Sequence, residues 1–254
     1  MLPYLLHVWP GSPCVRTIFS LGAKLSRSSA NWLLYTFLFV AYIFLVRPHF
    51  LWGSEFLDES VDLFGFILAL FGVWIRMVAR DWKLEHGSKG LVTIGPYAVV
   101  RNPMYVGSLI IGLGLCAIIG DLPFLVLFLT CFAFVHVCSV RSEELFLSQK
   151  WQADFSAYRS SVPAWVPSVA AIVGAYRQGA FRFLNLKRSF AKESDSLVAT
   201  VVGACLLEAH EDYLVEGWSA ARVEVLVFVG LAVAFVVFRM VCLNKELRRW
   251  LSTG

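Results

Sequence analysis

The sequence is short of charge. Only 16% of its 254 residues are Asp, Glu, Lys or Arg, where a soluble domain carries roughly 25%. With 58% hydrophobic residues and a mean hydropathy of +0.69, the chain has more apolar surface than one core conceals, so lipid is expected to cover the rest. It also lacks a Lys/Arg run or any interleaving of aromatic and basic residues. A net charge of +4 without such a pattern argues against a nucleic-acid partner and favours attraction to anionic lipid. The six cysteines show no CxxC or Cys/His spacing, and most lie in apolar runs. They read as buried thiols, and no metal site is expected. Met1–Trp9 lacks the basic leader of a signal peptide. Residues 14–27 mix Arg16, Lys24 and Arg27 with Val15, Ile18, Phe19 and Leu21, a composition suited to lying flat on a membrane surface.

What is abundant is long apolar runs. A span needs about 20 mostly apolar residues, and the runs at 29–46, 61–79, 104–119, 123–140, 196–210 and 223–243 qualify or nearly so. The turn Gly120-Asp121-Leu122-Pro123 makes the third and fourth an antiparallel hairpin. Segments carrying Arg16–Arg27, Arg80–Arg101, Arg141–Lys192 and Lys245–Arg249 alternate with segments poor in Lys and Arg. The positive-inside rule then places both termini in the cytoplasm. The expected fold is all-α: a polytopic membrane helix bundle of about six transmembrane helices, with a cytoplasmic cofactor-binding loop and an amphipathic helix. The organisation reads as an interfacial segment at 1–28, a four-span core at 29–168, and a basic connector with a two-span appendage at 169–254. Gly107, Gly112 and Gly114 lie within the third span, where close helix packing is their expected role.

Two cytoplasmic segments carry polar residues in patterns that suggest chemistry. Lys89–Gly107 reads as a loop turned at Gly95-Pro96, then a helix starting near Pro103, where a missing N–H costs nothing. Arg101 and Asn102 sit at the mouth of that helix, where the dipole favours an anionic group. The alternative is a plain loop whose Arg101 reaches lipid headgroups. In the second segment, Arg141–Pro167, the residues Glu144, Leu147, Trp151, Phe155 and Tyr158 recur at helical spacing. Such a stripe serves packing as readily as cofactor binding. Glu143 and Glu144 stand where a long apolar helix leaves the bilayer, so they need partners: Arg101, Arg141 or a cationic ligand. His136 lies on nearly the same face, about 10 Å deeper at 1.5 Å per residue.

Together these segments resemble the isoprenylcysteine carboxyl methyltransferase and phospholipid methyltransferase group of membrane enzymes. The group's pattern runs LV-x-x-G-x-Y-x-x-x-R-H/N-P-x-Y-x-G, then a hairpin, then E-E-x-x-L-x-x-x-F-G-x-x-Y-x-x-Y and V-P. Here Leu91, Val92, Gly95, Tyr97, Arg101, Asn102, Pro103, Tyr105 and Gly107 supply the first part. Glu143, Glu144, Leu147, Tyr158, Val162 and Pro163 supply the second, with Trp151-Gln152 in place of Phe-Gly and Phe155 in place of the first Tyr. The resemblance implies that S-adenosylmethionine is the methyl donor. It implies a cofactor set of Lys89, Leu91, Val92, Tyr97, Asn102, Pro103, Tyr105 and Glu143, and a catalytic set of Arg101, Arg141 and Glu144. Carboxylate and aromatic faces suit the donor's sulfonium, and Arg101 suits its carboxylate.

The chain departs from the pattern at Lys89, where the group often has His, and at Asn102, which removes an imidazole. It departs again at Ser139, where relatives acting on prenylated proteins place an Arg. The expected partners are the bilayer and a lipophilic or small-molecule methyl acceptor. Two other classes fit the composition: an NADPH-dependent membrane reductase of the sterol reductase kind, and a non-catalytic membrane scaffold. Glu143 and Glu144 argue against the reductase, since acids beside the phosphates of a dinucleotide cost binding.

Overall fold

A computed structural model describes residues 55–215 without a break, together with scattered positions between 37 and 46 and between 217 and 237. Among the described residues the secondary structure is helical throughout. Helix α1 runs Glu55–His86, α2 Pro103–Ile119, α3 Leu122–Ser161, α4 Val169–Arg177 and α5 Leu186–Val215, with a short 3-10 turn at Gly95–Ala98.

The helix ends follow local chemistry. Pro103 opens α2 at its first turn, and Gly120 closes it in the left-handed conformation at φ 65°. That region penalises every residue with a Cβ. Asp121 then caps α3, its Oδ1 accepting from the Phe124 N–H at 2.6 Å, and the chain reverses as the sequence implies. Ser168 caps α4 by accepting from the Ala171 N–H at 3.1 Å.

Helices α1 and α3 are long and apolar enough to cross a membrane; α2, at 17 residues, is apolar but shorter. At 1.5 Å per residue the 32 residues of α1 extend about 48 Å, and the hydrocarbon core is only about 30 Å thick. In a bilayer, the surplus length of α1 and α3 would carry their polar ends beyond the apolar layer. Phe56, Leu63, Phe64, Ile67 and Phe71 form an exposed stripe on α1, a surface suited to hydrocarbon rather than water.

Four of the six expected spans fall on described helices: 61–79 in α1, 104–119 in α2, 123–140 in α3 and 196–210 in α5. The helix that carries 196–210 is 30 residues long, is not among those long and apolar enough to cross a membrane, and docks on α1 through polar contacts near its start. The runs 29–46 and 223–243 and the segment 14–27 lie outside the described residues, except for isolated positions. One of these, Tyr42, hydrogen bonds to His210 Nδ1 on α5 at 2.9 Å. The connector also contains α4, a helix not expected from the sequence.

Helices α1 and α2 pack antiparallel with their backbones nearly touching. Gly65 faces Gly114 and Gly72 faces Gly107. Each pair is separated by seven residues, two helical turns, so both contacts fall on one face of each helix. A Cβ at Gly72 would stand 2.6 Å from the Gly107 carbonyl oxygen and 2.7 Å from the Ile111 nitrogen. The same close approach brings Arg76 of α1 against Gly107 and Ser108 of α2.

Replacing Gly72 by Leu therefore forces the helices apart. Unfolding of the detergent-solubilised protein should show a loss of about 3 kcal/mol. Gly203→Ala, on a face of α5 with nothing within 4 Å, should change stability by about 1 kcal/mol or less and in the stabilising direction.

Candidate active site

The loop between α1 and α2 is held by its own sequence and by the end of α3. Gly95 has φ +65°, and a Cβ there would enter the Trp82 ring, so this position excludes other residues twice over. The Tyr158 hydroxyl donates to the Tyr97 carbonyl at 2.7 Å. The Arg101 backbone N–H donates to the Pro163 carbonyl at 2.8 Å, and the Asn102 side-chain amide donates to the Ala164 carbonyl at 3.2 Å. Arg101 finishes the join. Its Nε and Nη2 donate to Glu144 Oε1 at 2.9 and 2.7 Å, while Nη1 donates to the carbonyls of Arg159 and Val162 at 3.0 and 2.5 Å. The two side chains are only 11% and 15% exposed, so the pair works where water screens it weakly.

Between the joined segments lies a cavity of about 370 Å³, within the range of small-molecule sites. The loop and α2 line it with Leu91, Val92, Tyr97, Asn102, Pro103 and Tyr105. Helix α3 contributes Glu143, Glu144, Leu147, Trp151, Phe155 and Tyr158. Helix α1 supplies Arg76, Arg80 and Lys83. Lys83 Nζ pairs with Glu143 Oε1 at 3.1 Å, which places that carboxylate at the wall. Burial, and then the charge of Glu143, holds the Tyr97 phenol above its ordinary range, so it lines the cavity as a neutral group. Below, Tyr105 meets the edge of His136 at 5.3 Å, and His136 stacks on Phe132 at 3.8 Å. His136 is fully buried and bonds the Phe132 carbonyl of its own helix at 3.0 Å.

Of the residues expected at a site, Arg101, Glu144, Leu91, Val92, Tyr97, Asn102, Pro103, Tyr105 and Glu143 come together around this cavity. Lys89 and Arg141 do not line it. Lys89 is 71% exposed and pairs with Glu85 at 3.8 Å, and Arg141 is exposed on α3. Arg101, expected to meet a ligand carboxylate, directs its donors to Glu144 and to backbone carbonyls instead.

Four contributors were missed. Arg76 and Arg80 lie four residues apart, with Lys83 three beyond, which puts them on one helical face. That spacing was a usable signal, although basic residues at the end of a span also serve to anchor it. The fourth is Glu193 of α5, whose side chain is 1% exposed and pairs with both arginines. It lies outside both motifs, and nothing in its neighbourhood marked it.

The cavity lined by carboxylates, bases and aromatic rings lies at the ends of long apolar helices. Residues 61–154 match the family model of phospholipid methyltransferases, one of the two families that the motifs resemble. The chain is also similar to the nickel-cobalt-cadmium resistance protein NccN of Alcaligenes xylosoxydans xylosoxydans. The two are 28% identical over 135 residues, which is 52% of this chain and 61% of the relative. It is 32% identical over 111 residues to the cobalt-zinc-cadmium resistance protein CzcN of Cupriavidus metallidurans, covering 42% of this chain and 51% of that one. The chain thus spans between half and two thirds of the length of these curated relatives. No solved structure matches it significantly.

The stripe from Glu144 to Tyr158 is interrupted. Gln152 has φ 34° and ψ −106° inside α3, and it occupies the position at which the family pattern has Gly. The break swings Phe155 and Tyr158 towards the loop, at a strain cost of about 1–3 kcal/mol for a residue with a side chain. Gln152→Gly should raise the unfolding free energy by about 1 kcal/mol, read by chemical denaturation. Gln152→Val should lower it.

Proposed function

We propose that this protein transfers a methyl group from S-adenosylmethionine to a lipophilic acceptor at the cytoplasmic face of a membrane. The observation that supports this reading best is the single cavity in which both family motifs meet. It combines a carboxylate, neutral aromatic faces and basic groups at the ends of apolar helices. The reading rests on that cavity and on the family, not on the names of the relatives.

The residues present fit the donor. Glu143 and the faces of Tyr97, Tyr105 and Trp151 suit a sulfonium cation, and the backbone at Leu91 and Val92, with the side chains of Asn102 and Pro103, completes the wall. S-adenosylmethionine, when bound, supplies an electrophilic methyl group that an acceptor's lone pair displaces. The chain's part is to align the two reactants and exclude water. The Arg101–Glu144 pair holds the loop and α3 at the separation this requires. Tyr97, neutral and buried, contributes a face and no charge. The exposed apolar flanks of α1 and α3 let an acceptor's hydrocarbon chain stay in lipid while its head enters the cavity, and each CH₂ kept there is worth about 0.8 kcal/mol.

Equilibrium binding to the detergent-purified chain tests this directly. S-adenosylmethionine should bind and NADPH should not. Glu143→Gln should weaken the donor about tenfold, as expected for losing one charged contact, while the protein remains monodisperse. Binding of NADPH in preference to S-adenosylmethionine would establish the reductase reading instead, and binding of neither the scaffold.

A further inference from the structure

The cavity has a surplus of positive charge that its pairs do not cancel. Lys83 is matched by Glu143 and Arg101 by Glu144. Arg76 and Arg80 share one carboxylate, that of Glu193. Glu193 reaches them from α5, outside the stretch that matches the family, and is held by Ser196 Oγ donating to its Oε2 at 3.0 Å.

The two arginines differ in what they have left to give. Arg76 donates from Nε and Nη2 to Glu193 Oε2 at 3.1 and 2.9 Å, and its Nη1 bonds Ser108. Arg80 donates only through Nε, to Glu193 Oε1 at 2.7 Å. Among the described residues its two Nη groups have no partner, and the side chain lines the cavity at 34% exposure. A guanidinium fixed at Nε with both Nη groups free presents a fork of parallel donors, the geometry that matches a carboxylate or phosphate. Glu193 cannot cancel this charge, because its single negative charge is divided between two guanidiniums.

Building on the methyl-transfer reading, we infer that Arg80, aimed by Glu193, is the anion-binding residue of the cavity, and that its ligand is a carboxylate or phosphate. Two sources have that chemistry: the amino-acid carboxylate of the donor, and an acidic head on the acceptor. Arg80 is a binding residue, and Glu193 a positioning residue that acts through it. The appendage then completes the site instead of merely flanking it.

Calorimetric titration of the full chain in detergent separates the sources. The ligands are S-adenosylmethionine, its decarboxylated analogue, and dodecyl phosphate against dodecanol, the last pair with and without S-adenosylhomocysteine. If Arg80 holds the donor's carboxylate, Arg80→Gln weakens S-adenosylmethionine about ten- to a hundredfold and leaves the decarboxylated analogue unchanged. If it holds the acceptor's acid, the donor is unaffected, and dodecyl phosphate loses about tenfold or more while dodecanol does not. Arg80→Lys, which keeps the charge and loses the fork, recovers part of either loss. Glu193→Gln reduces the same acid-over-neutral preference. A purely structural Glu193 would lower the Tm and leave that preference intact. Equal affinities for Arg80→Gln and the parent chain in both arms overturn the inference. Failure of the parent chain to bind S-adenosylmethionine overturns the methyl-transfer reading instead, with the dodecyl phosphate arm still deciding Arg80.

Discussion

The ion pair between Arg101 and Glu144 is the join on which the site depends. It ties a loop whose regular structure is limited to the short turn at Gly95–Ala98 to a helix that ends far along the chain. Both partners are largely withdrawn from water, and removing either leaves a charge with poor compensation, at a cost of about 3–5 kcal/mol. The guanidinium also donates to the carbonyls of Arg159 and Val162, two acceptors at the C-terminal end of α3 that have no intrahelical partner. One side chain thus closes a helix terminus, anchors a loop and sets the width of the cavity.

A second set of polar contacts does the same for α5. Asp81, fully buried on α1, accepts from the Leu184 and Asn185 N–H groups at 2.6 and 2.7 Å and pairs with Arg188 at 3.1 Å. The carboxylate satisfies orphan donors at the start of α5 and complements its dipole. Arg188 is drawn further towards its charged form by that hydrogen bond to Asp81. One turn further on, the Ser189 hydroxyl donates to the Met77 carbonyl at 2.5 Å. The docking of α5 is therefore directional, and it delivers Glu193 to Arg76 and Arg80. Apolar packing alone would have let α5 slide along α1.

The parts of this architecture that could be read in the sequence are those set by local chemistry. Helix α2 starts at Pro103 and ends at Gly120 because the missing N–H and the absent Cβ act at single residues. The meeting of the two motifs was legible because Glu143 and Glu144 needed partners where an apolar helix ends. What could not be read depends on distance in the chain. Arg101 and Glu144 were each singled out, but the spacing of residues could not show that Arg101 would turn its donors to the protein. Glu193 became visible only once α5 lay against α1. Hydropathy marks 196–210 by its apolar residues, whereas the helix that holds it is placed by Ser189 and Glu193, near its start. Gln152 stands where the family pattern has Gly, a substitution that marked the position without revealing the break in α3.

If the Arg101–Glu144 pair builds the cavity by joining the two motifs, the residues act as one unit. The deciding measurement is a double-mutant cycle of Arg101→Gln and Glu144→Gln, read as the affinity for S-adenosylmethionine. The double variant should lose no more affinity than the worse single variant, a coupling of about 2 kcal/mol or more. Losses that simply add would show that the two residues act independently, and that something other than their pairing holds the cavity.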